Sequence, residues 1–304
     1  MDLHAPEFGF LGAPVVTDPS TIDGDVAILG APHGVPYPHP GATVGCAEAP
    51  AAIRARSQRL AQFRGHHDFD TEGPMLPLDS GPRLVDVGDI SGHPTDGAGN
   101  SRRIGEAVAA LLDRGAVPVC IGGDDSVPIP ILRAFAGRGP ITVLQVDAHL
   151  DFRDEVDGVR EGYSSAMRRA SEMPHVARIV QVGLRGAGSA RPSDVADALA
   201  AGNLLVTARE LRQRGAASVL GALTDADRIF LSFDCDGLDP SVFPAVSAPS
   251  PGGLTYAEAS DLVRGIGSRL VGAVFTEYVP PLDRDALSAL VVARLMVTAI
   301  AGLS

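Results

Sequence analysis

ITVLQVDAHLD, residues 141–151, is the stretch from which the fold is read. Residues 141–146 form a short β-rich apolar run, and Asp147, His149 and Asp151 then occupy every second position. A buried strand followed by an extended tip explains both halves, because side chains at i, i+2 and i+4 of extended backbone point to one side. Similar apolar runs recur at 25–29, 84–87, 117–121, 178–182, 228–233 and 270–275. Between them, residues 101–114, 128–135, 192–201, 256–266 and 285–301 carry apolar side chains at three- and four-residue spacing, the helical pattern. Such alternation predicts an α/β fold with a parallel sheet covered by helices, here as one domain spanning residues 1–304. Residues 60–82, with His66-His67 and repeated Pro but no periodicity, read as a surface excursion.

In open α/β sheets ligands gather beyond the carboxyl ends of the strands, so the residues directly after each apolar run matter most. Three of these places are acidic. IGGDDS, residues 121–126, turns through two glycines into Asp124 and Asp125. VDAHLD supplies Asp147, His149 and Asp151, and SFDCDGLDP, residues 232–240, supplies Asp234 and Asp236 with the same period of two. A lone Asp in such a place is an N-cap or a solvated turn, which is the reading for Asp239 before Pro240. Carboxylates gathered from three strand ends would repel and be costly to desolvate unless a divalent cation balanced them. Oxygen ligands with one imidazole suit manganese or a similar first-row ion.

Whole-chain chemistry narrows the classes. The 25 Lys plus Arg against 37 Asp plus Glu give a net charge of -12, which disfavours nucleic acid and anionic membrane surfaces and suits a cationic small molecule. Cys46, Cys120 and Cys235 are too widely spaced to suggest a disulfide framework or a cysteine zinc site, so a reducing cytoplasm is expected. The opening MDLHAPEFGF lacks a basic segment followed by an apolar one, and no apolar run approaches the roughly 20 residues needed to span a bilayer.

GGDDS, DAHLD, SFDCDGLDP and the late FTEYVP, in this order and at these separations, resemble the ureohydrolases: arginase, agmatinase and guanidinobutyrase. The likeness runs through most of the chain, since HPGATVGCAEAPAAIR is similar to the family's substrate-side segment, VDVGD to its next strand and VGLRG to the strand after DAHLD. The agmatinase-like branch is the nearest. This resemblance implies a three-layer α/β/α arginase-like fold, two Mn2+ per subunit with Ni2+ as an alternative, and an amidinohydrolase that cleaves a guanidino carbon–nitrogen bond to urea and an amine. It implies that Asp147 and Asp234 bridge the metals, that Asp125 and Asp151 complete one site, and that His149 and Asp236 complete the other. A bridging hydroxide is then the nucleophile, with Asp151 among the catalytic residues and Glu277 the acid that pairs with the guanidinium. Agmatine is the first substrate expected; guanidinobutyrate, guanidine and a substituted guanidine or biguanide stay open. A homo-oligomer, trimer or hexamer, is also implied, with hetero-oligomers open.

Two departures stand out. The family places His where this chain has Asp125, so the cluster carries about one negative charge more than usual, from which a less acidic bound water is expected. Aligned on Arg168 and Arg169, Tyr163 falls where the family has a proton-shuttling His, and it is open to two readings: hydrogen-bond donor or weak relay, and pocket wall or core packing. His33 and His39, in APHGVPYPHPG, sit in a loop that is read as structural. The two lost histidines also motivate a contrasting reading, a metal-poor partner subunit of an active relative; the retained Asp147, His149, Asp151, Asp234, Asp236 and Glu277 argue against it.

Overall fold

The computed structural model describes residues 2–38, 45–224 and 227–304. Its strands are β1 (Leu3–His4), β2 (Val26–Ala31), β3 (His67–Asp68), β4 (Gly73–Pro74), β5 (Leu84–Ile90), β6 (Val117–Gly122), β7 (Ile141–Val146), β8 (Val176–Leu184), β9 (Leu204–Thr207), β10 (Ile229–Asp234) and β11 (Leu270–Thr276). Its helices are α1 (Ala49–Ala61), α2 (Gly97–Asp113), α3 (Pro128–Arg133), α4 (Ala166–Ser171), α5 (Pro192–Ala200), α6 (Ala208–Arg214), α7 (Ala216–Leu220), α8 (Tyr256–Ile266) and α9 (Leu287–Ala301). Nine strands form one sheet in the order β1-β5-β2-β6-β11-β10-β7-β8-β9, parallel throughout except for β1 against β5.

Helices cover both faces. Ile53 of α1, Leu211 of α6, Val219 of α7, Leu262 of α8 and Leu295 of α9 pack on one side; Ile104 of α2, Ile131 of α3, Met167 of α4 and Ala198 of α5 pack on the other. The central strands read as near-continuous apolar runs because both their faces are buried, and each fully buried aliphatic side chain contributes ~1.5–3 kcal/mol.

The expected strands appear within a few residues of their sequence limits. Helix α2 begins four residues before the expected 101, because the Asp96 side chain accepts from the Gly99 amide and caps it. Helix α1 has no counterpart in the periodic stretches, and β9 is a four-residue, half-buried edge strand with too short a pattern to read. The excursion at 60–82 does lie outside the main sheet and carries the β3–β4 ladder, but it is tied down: Met75 and Leu76 are buried, and Arg294 of α9 pairs with Asp68 and Asp70.

What positions the site is the sheet order. Strands β6, β11, β10 and β7 are consecutive neighbours in space although the chain visits them as β6, β7, β10, β11. Their carboxyl ends therefore bring Asp125, Glu277, Asp234 with Asp236, and Asp147 with His149 and Asp151 to one edge.

Candidate metal centre and active site

Each acidic tip is shaped by its local backbone. Asp147 directly follows β7 with both carboxylate oxygens engaged: Oδ2 accepts from Gln145 Nε2 at 2.7 Å, and Oδ1 accepts from the His149 amide. Asp151 and Glu277 both adopt left-handed backbone, φ 47 and φ 62, a conformation non-glycine residues rarely take and one that concentrates at functional sites. Asp234 Oδ1 accepts from the Asp236 amide at 2.8 Å, which turns β10 into a short 3-10 turn and brings Asp236 round beside it. Asp236 Oδ1 accepts from the Ala148 amide at 3.1 Å, and its Oδ2 lies 3.0 Å from His149 Nδ1, so the β7 and β10 tips are joined. Asp125 Oδ1 accepts from Thr276 Oγ1 at 2.7 Å, and the Asp125 amide donates to Glu277 Oε1 at 2.9 Å.

These side chains surround a cavity of about 390 Å³, lined by Asp125, His149, Asp151, Asp234, Asp236 and Glu277 at one end and by Tyr163, Ser164, Ala187, Gly188, Ser189, Ser247 and Ala248 elsewhere. Two groups have ligand atoms within 4.8 Å of one another: Asp147, His149 and Asp236, and Asp125, Asp147 and Asp151. They share Asp147. Asp234 lines the same cavity without belonging to either tight triad.

The electrostatics are those of a site short of positive charge. Burial first, and then repulsion from neighbouring carboxylates, pushes Asp125, Asp147, Asp151, Asp234 and Glu277 well above the ordinary carboxylate range. Through its hydrogen bond to Asp236, the imidazole of His149 is raised to about 9. Among the described residues no arginine forms an ion pair with any of these acids. The guanidinium of Arg185 acts on Asp236 and Asp147 only at a distance and donates to the backbone carbonyls of Gly183, Asp236, Gly237, Leu238 and Ser250, so it pins this loop without pairing with the acids. Asp125 Oδ2 is buried and has no hydrogen-bond partner. A buried carboxylate oxygen left unpaired beside two three-ligand clusters fits divalent cations, which would supply the missing partner and charge.

The arginase family's sequence profile matches residues 24–302. The chain belongs to the arginase family. Among its relatives, the guanidinopropionase of Pseudomonas aeruginosa is 32% identical over 297 residues, covering 94% of this chain and 88% of that one. The mitochondrial agmatinase of Gallus gallus is 31% identical over 280 residues, covering 90% and 79%. A formiminoglutamase of Trypanosoma cruzi, solved with Mn2+, superposes with a TM-score of 0.83 at 26% identity and covers 98% of each chain. Arginase-family membership makes the protein a hydrolase of amidino carbon–nitrogen bonds.

The eight residues expected as ligands or catalytic groups come together here, seven of them on the cavity wall and Asp147 in both ligand triads. Tyr163 is half-buried, edge-on to Tyr37 with ring centroids 4.4 Å apart, and burial pushes its hydroxyl up to about 12, so it is a neutral donor at physiological pH. His33 does not line the cavity. His39 lies outside the described residues. Asp239 holds a turn: its carboxylate accepts from Ser241, Gly252 and Gly253, and these bonds lower its pKa to about 2. Missed from sequence were Thr276 and Gln145, the second of which had a visible signal as the amide interrupting an otherwise apolar strand.

Proposed function

We propose that this arginase-family chain hydrolyses a guanidino carbon–nitrogen bond to urea and an amine in the agmatinase manner. The carrying observation is the pair of largely buried ligand triads that share Asp147, with no arginine paired to them among the described residues and one oxygen of Asp125 unsatisfied. In this reading Asp125, Asp147, His149, Asp151, Asp234 and Asp236 would hold two divalent ions, Mn2+ as in the Trypanosoma cruzi relative or Ni2+. When bound, such ions lower the pKa of a water molecule and offset the charge of a tetrahedral intermediate.

The protein's own groups do the rest. Glu277, whose Oε1 is fixed by the Asp125 amide, presents its carboxylate to the planar guanidinium and orients the carbon for attack. Asp151, fixed by its left-handed backbone at the cavity wall, is the carboxylate that accepts a proton from the attacking water and returns it to the leaving amine. Tyr163, neutral and a donor, forms part of the wall and offers its hydroxyl to the substrate. Beyond the acids the described lining is Ser, Ala, Gly, Tyr and the imidazole of His149, which is spent on Asp236, with no arginine to receive a carboxylate tail, so a cationic guanidino compound such as agmatine fits better than a guanidino acid. Three unpaired, buried cysteines accord with a reducing compartment, and the family resemblance supports a homo-oligomeric assembly.

The test is urea release from a panel of agmatine, guanidinobutyrate, guanidine and substituted guanidines or biguanides, run with Mn2+ and with Ni2+ beside a metal assay of the protein. Two metal equivalents with turnover of a cationic substrate are expected. Full loading without urea from any compound would overturn the activity.

A further inference from the structure

Behind the ligand Asp147 lies a row of three buried amides that the hydrolytic reading does not use. Gln145 of β7 and Gln181 of β8 are direct register partners, both wholly inaccessible, and Asn203, just before β9, is 7% exposed. They continue the apolar face that carries Ile141, Val143 and Ile179. Asn203 Nδ2 donates to Gln181 Oε1 at 2.9 Å, Gln181 Nε2 donates to Gln145 Oε1 at 2.6 Å, and Gln145 Nε2 donates to Asp147 Oδ2 at 2.7 Å, with a longer 3.4 Å contact to Asp151 Oδ2. The donors along the row, from Asn203 to Gln181 to Gln145, run toward the carboxylates. The direction is fixed along its length, because Gln181 Nε2 also donates to the Leu150 carbonyl at 2.8 Å. Turning Gln145 over would set its oxygen against Asp147 and its amide nitrogen against that of Gln181.

We propose that Gln145, Gln181 and Asn203 are positioning residues that aim the Asp147 and Asp151 carboxylates at the metal ions and so set metal affinity; this rests on the metal-centre reading above. With Gln145 on Oδ2 and the His149 amide on Oδ1, each Asp147 oxygen retains a lone pair for a cation. Buried amides are not needed to hold two strands together, since apolar residues of similar volume in both places would satisfy packing at no greater cost. Their row ends on the one ligand common to both triads, and groups that orient a metal ligand typically carry 10–100-fold of affinity.

The test is Mn2+ affinity, read by competition with a chelator, alongside the thermal midpoint of the metal-free protein. Gln145→Leu and Gln145→Met, which lose the donor while keeping most of the volume, are expected to weaken Mn2+ binding about 10–100-fold. Gln181→Leu should weaken it less and Asn203→Ala least, with the metal-free midpoint not lowered in step. Unchanged affinity in Gln145→Leu and Gln145→Met, or losses that follow a falling metal-free midpoint, would overturn the assignment in favour of simple packing. Absence of Mn2+ binding by the unaltered chain would remove the metal centre itself, and this inference with it.

Discussion

Asp86 and Asp147 are equally inaccessible to solvent, yet their surroundings differ in sign. Around Asp86 the charge is already balanced: Arg54 of α1 reaches both its oxygens, at 2.8 and 3.0 Å, and extends a third nitrogen 2.5 Å from Asp89, while the amides of Phe10 and Gly88 occupy the remaining positions. Burial works against the Arg54 charge, but the two carboxylates outweigh it and raise its pKa above the ordinary value. Around Asp147 the neighbours are other acids, one imidazole and one neutral amide. The first cluster balances its own charge, whereas the second does not and could hold a cation. A buried acid thus points to chemistry through what fails to neutralise it, not through burial alone.

The comparison is broken most severely by removing the shared ligand. Asp147→Ala should abolish binding of both metal ions, measured by elemental analysis, and lower kcat by about 10³-fold or more, since cations supply several kcal/mol of charge stabilisation in such reactions. The metal-free variant should unfold no more easily than the metal-free parent, because one mutually repelling carboxylate has gone. Arg54→Met should do the reverse. It leaves Asp86 buried and unpaired, at ~3–5 kcal/mol of stability by urea denaturation, with metal content per folded molecule unchanged. Equal destabilisation by both substitutions would erase the distinction.

A third test uses pH. In the metal-free chain the buried acids have folded pKa values above their unfolded ones, so their contribution to stability is full below the unfolded values and is lost as pH rises through the folded ones. Metal binding needs the deprotonated forms and so opposes that loss. The rise in melting temperature on adding Mn2+ should therefore be larger at pH 8 than at pH 5.5, with saturation at 100 times Kd worth ~2.7 kcal/mol. A shift independent of pH would contradict the acidic cluster as the binding site.

The same contrast marks how much was legible in the sequence. Strand tips could be read because Asp147, His149 and Asp151 follow an apolar run at period two, as Asp234 and Asp236 do. The insertion of β11 and β10 between β6 and β7 could not be read, because strand order depends on how crossovers pack, and no local pattern encodes it. Helix α1 hid for a related reason: Arg54, which looks like a solvent-facing residue, is 1% exposed, so the helix presents a charged side chain where periodicity seeks an apolar one. Gln145 and Gln181 sit inside runs read simply as apolar strands, whereas their amides are spent on each other and on Asp147.

The finest test concerns the one ligand that departs from the family pattern. Asp125 Oδ1 is held by Thr276 and its buried Oδ2 is unpaired, so in the proposed centre the residue can still serve as a ligand in spite of the changed side chain. As a carboxylate it adds a negative charge that an imidazole would not, and that charge raises the pKa of the attacking water. Asp125→His removes it. The rising limb of the pH–rate profile should move to lower pH by about 1 unit, equivalent to ~1.4 kcal/mol, and affinity for Ni2+ should rise relative to Mn2+ because imidazole suits the softer ion. An unmoved profile with unchanged metal preference would mean that Asp125 contributes neither charge nor a ligand to the reacting water, and Asp147, His149, Asp151 and Asp236 would then have to hold the ions with Asp234 alone.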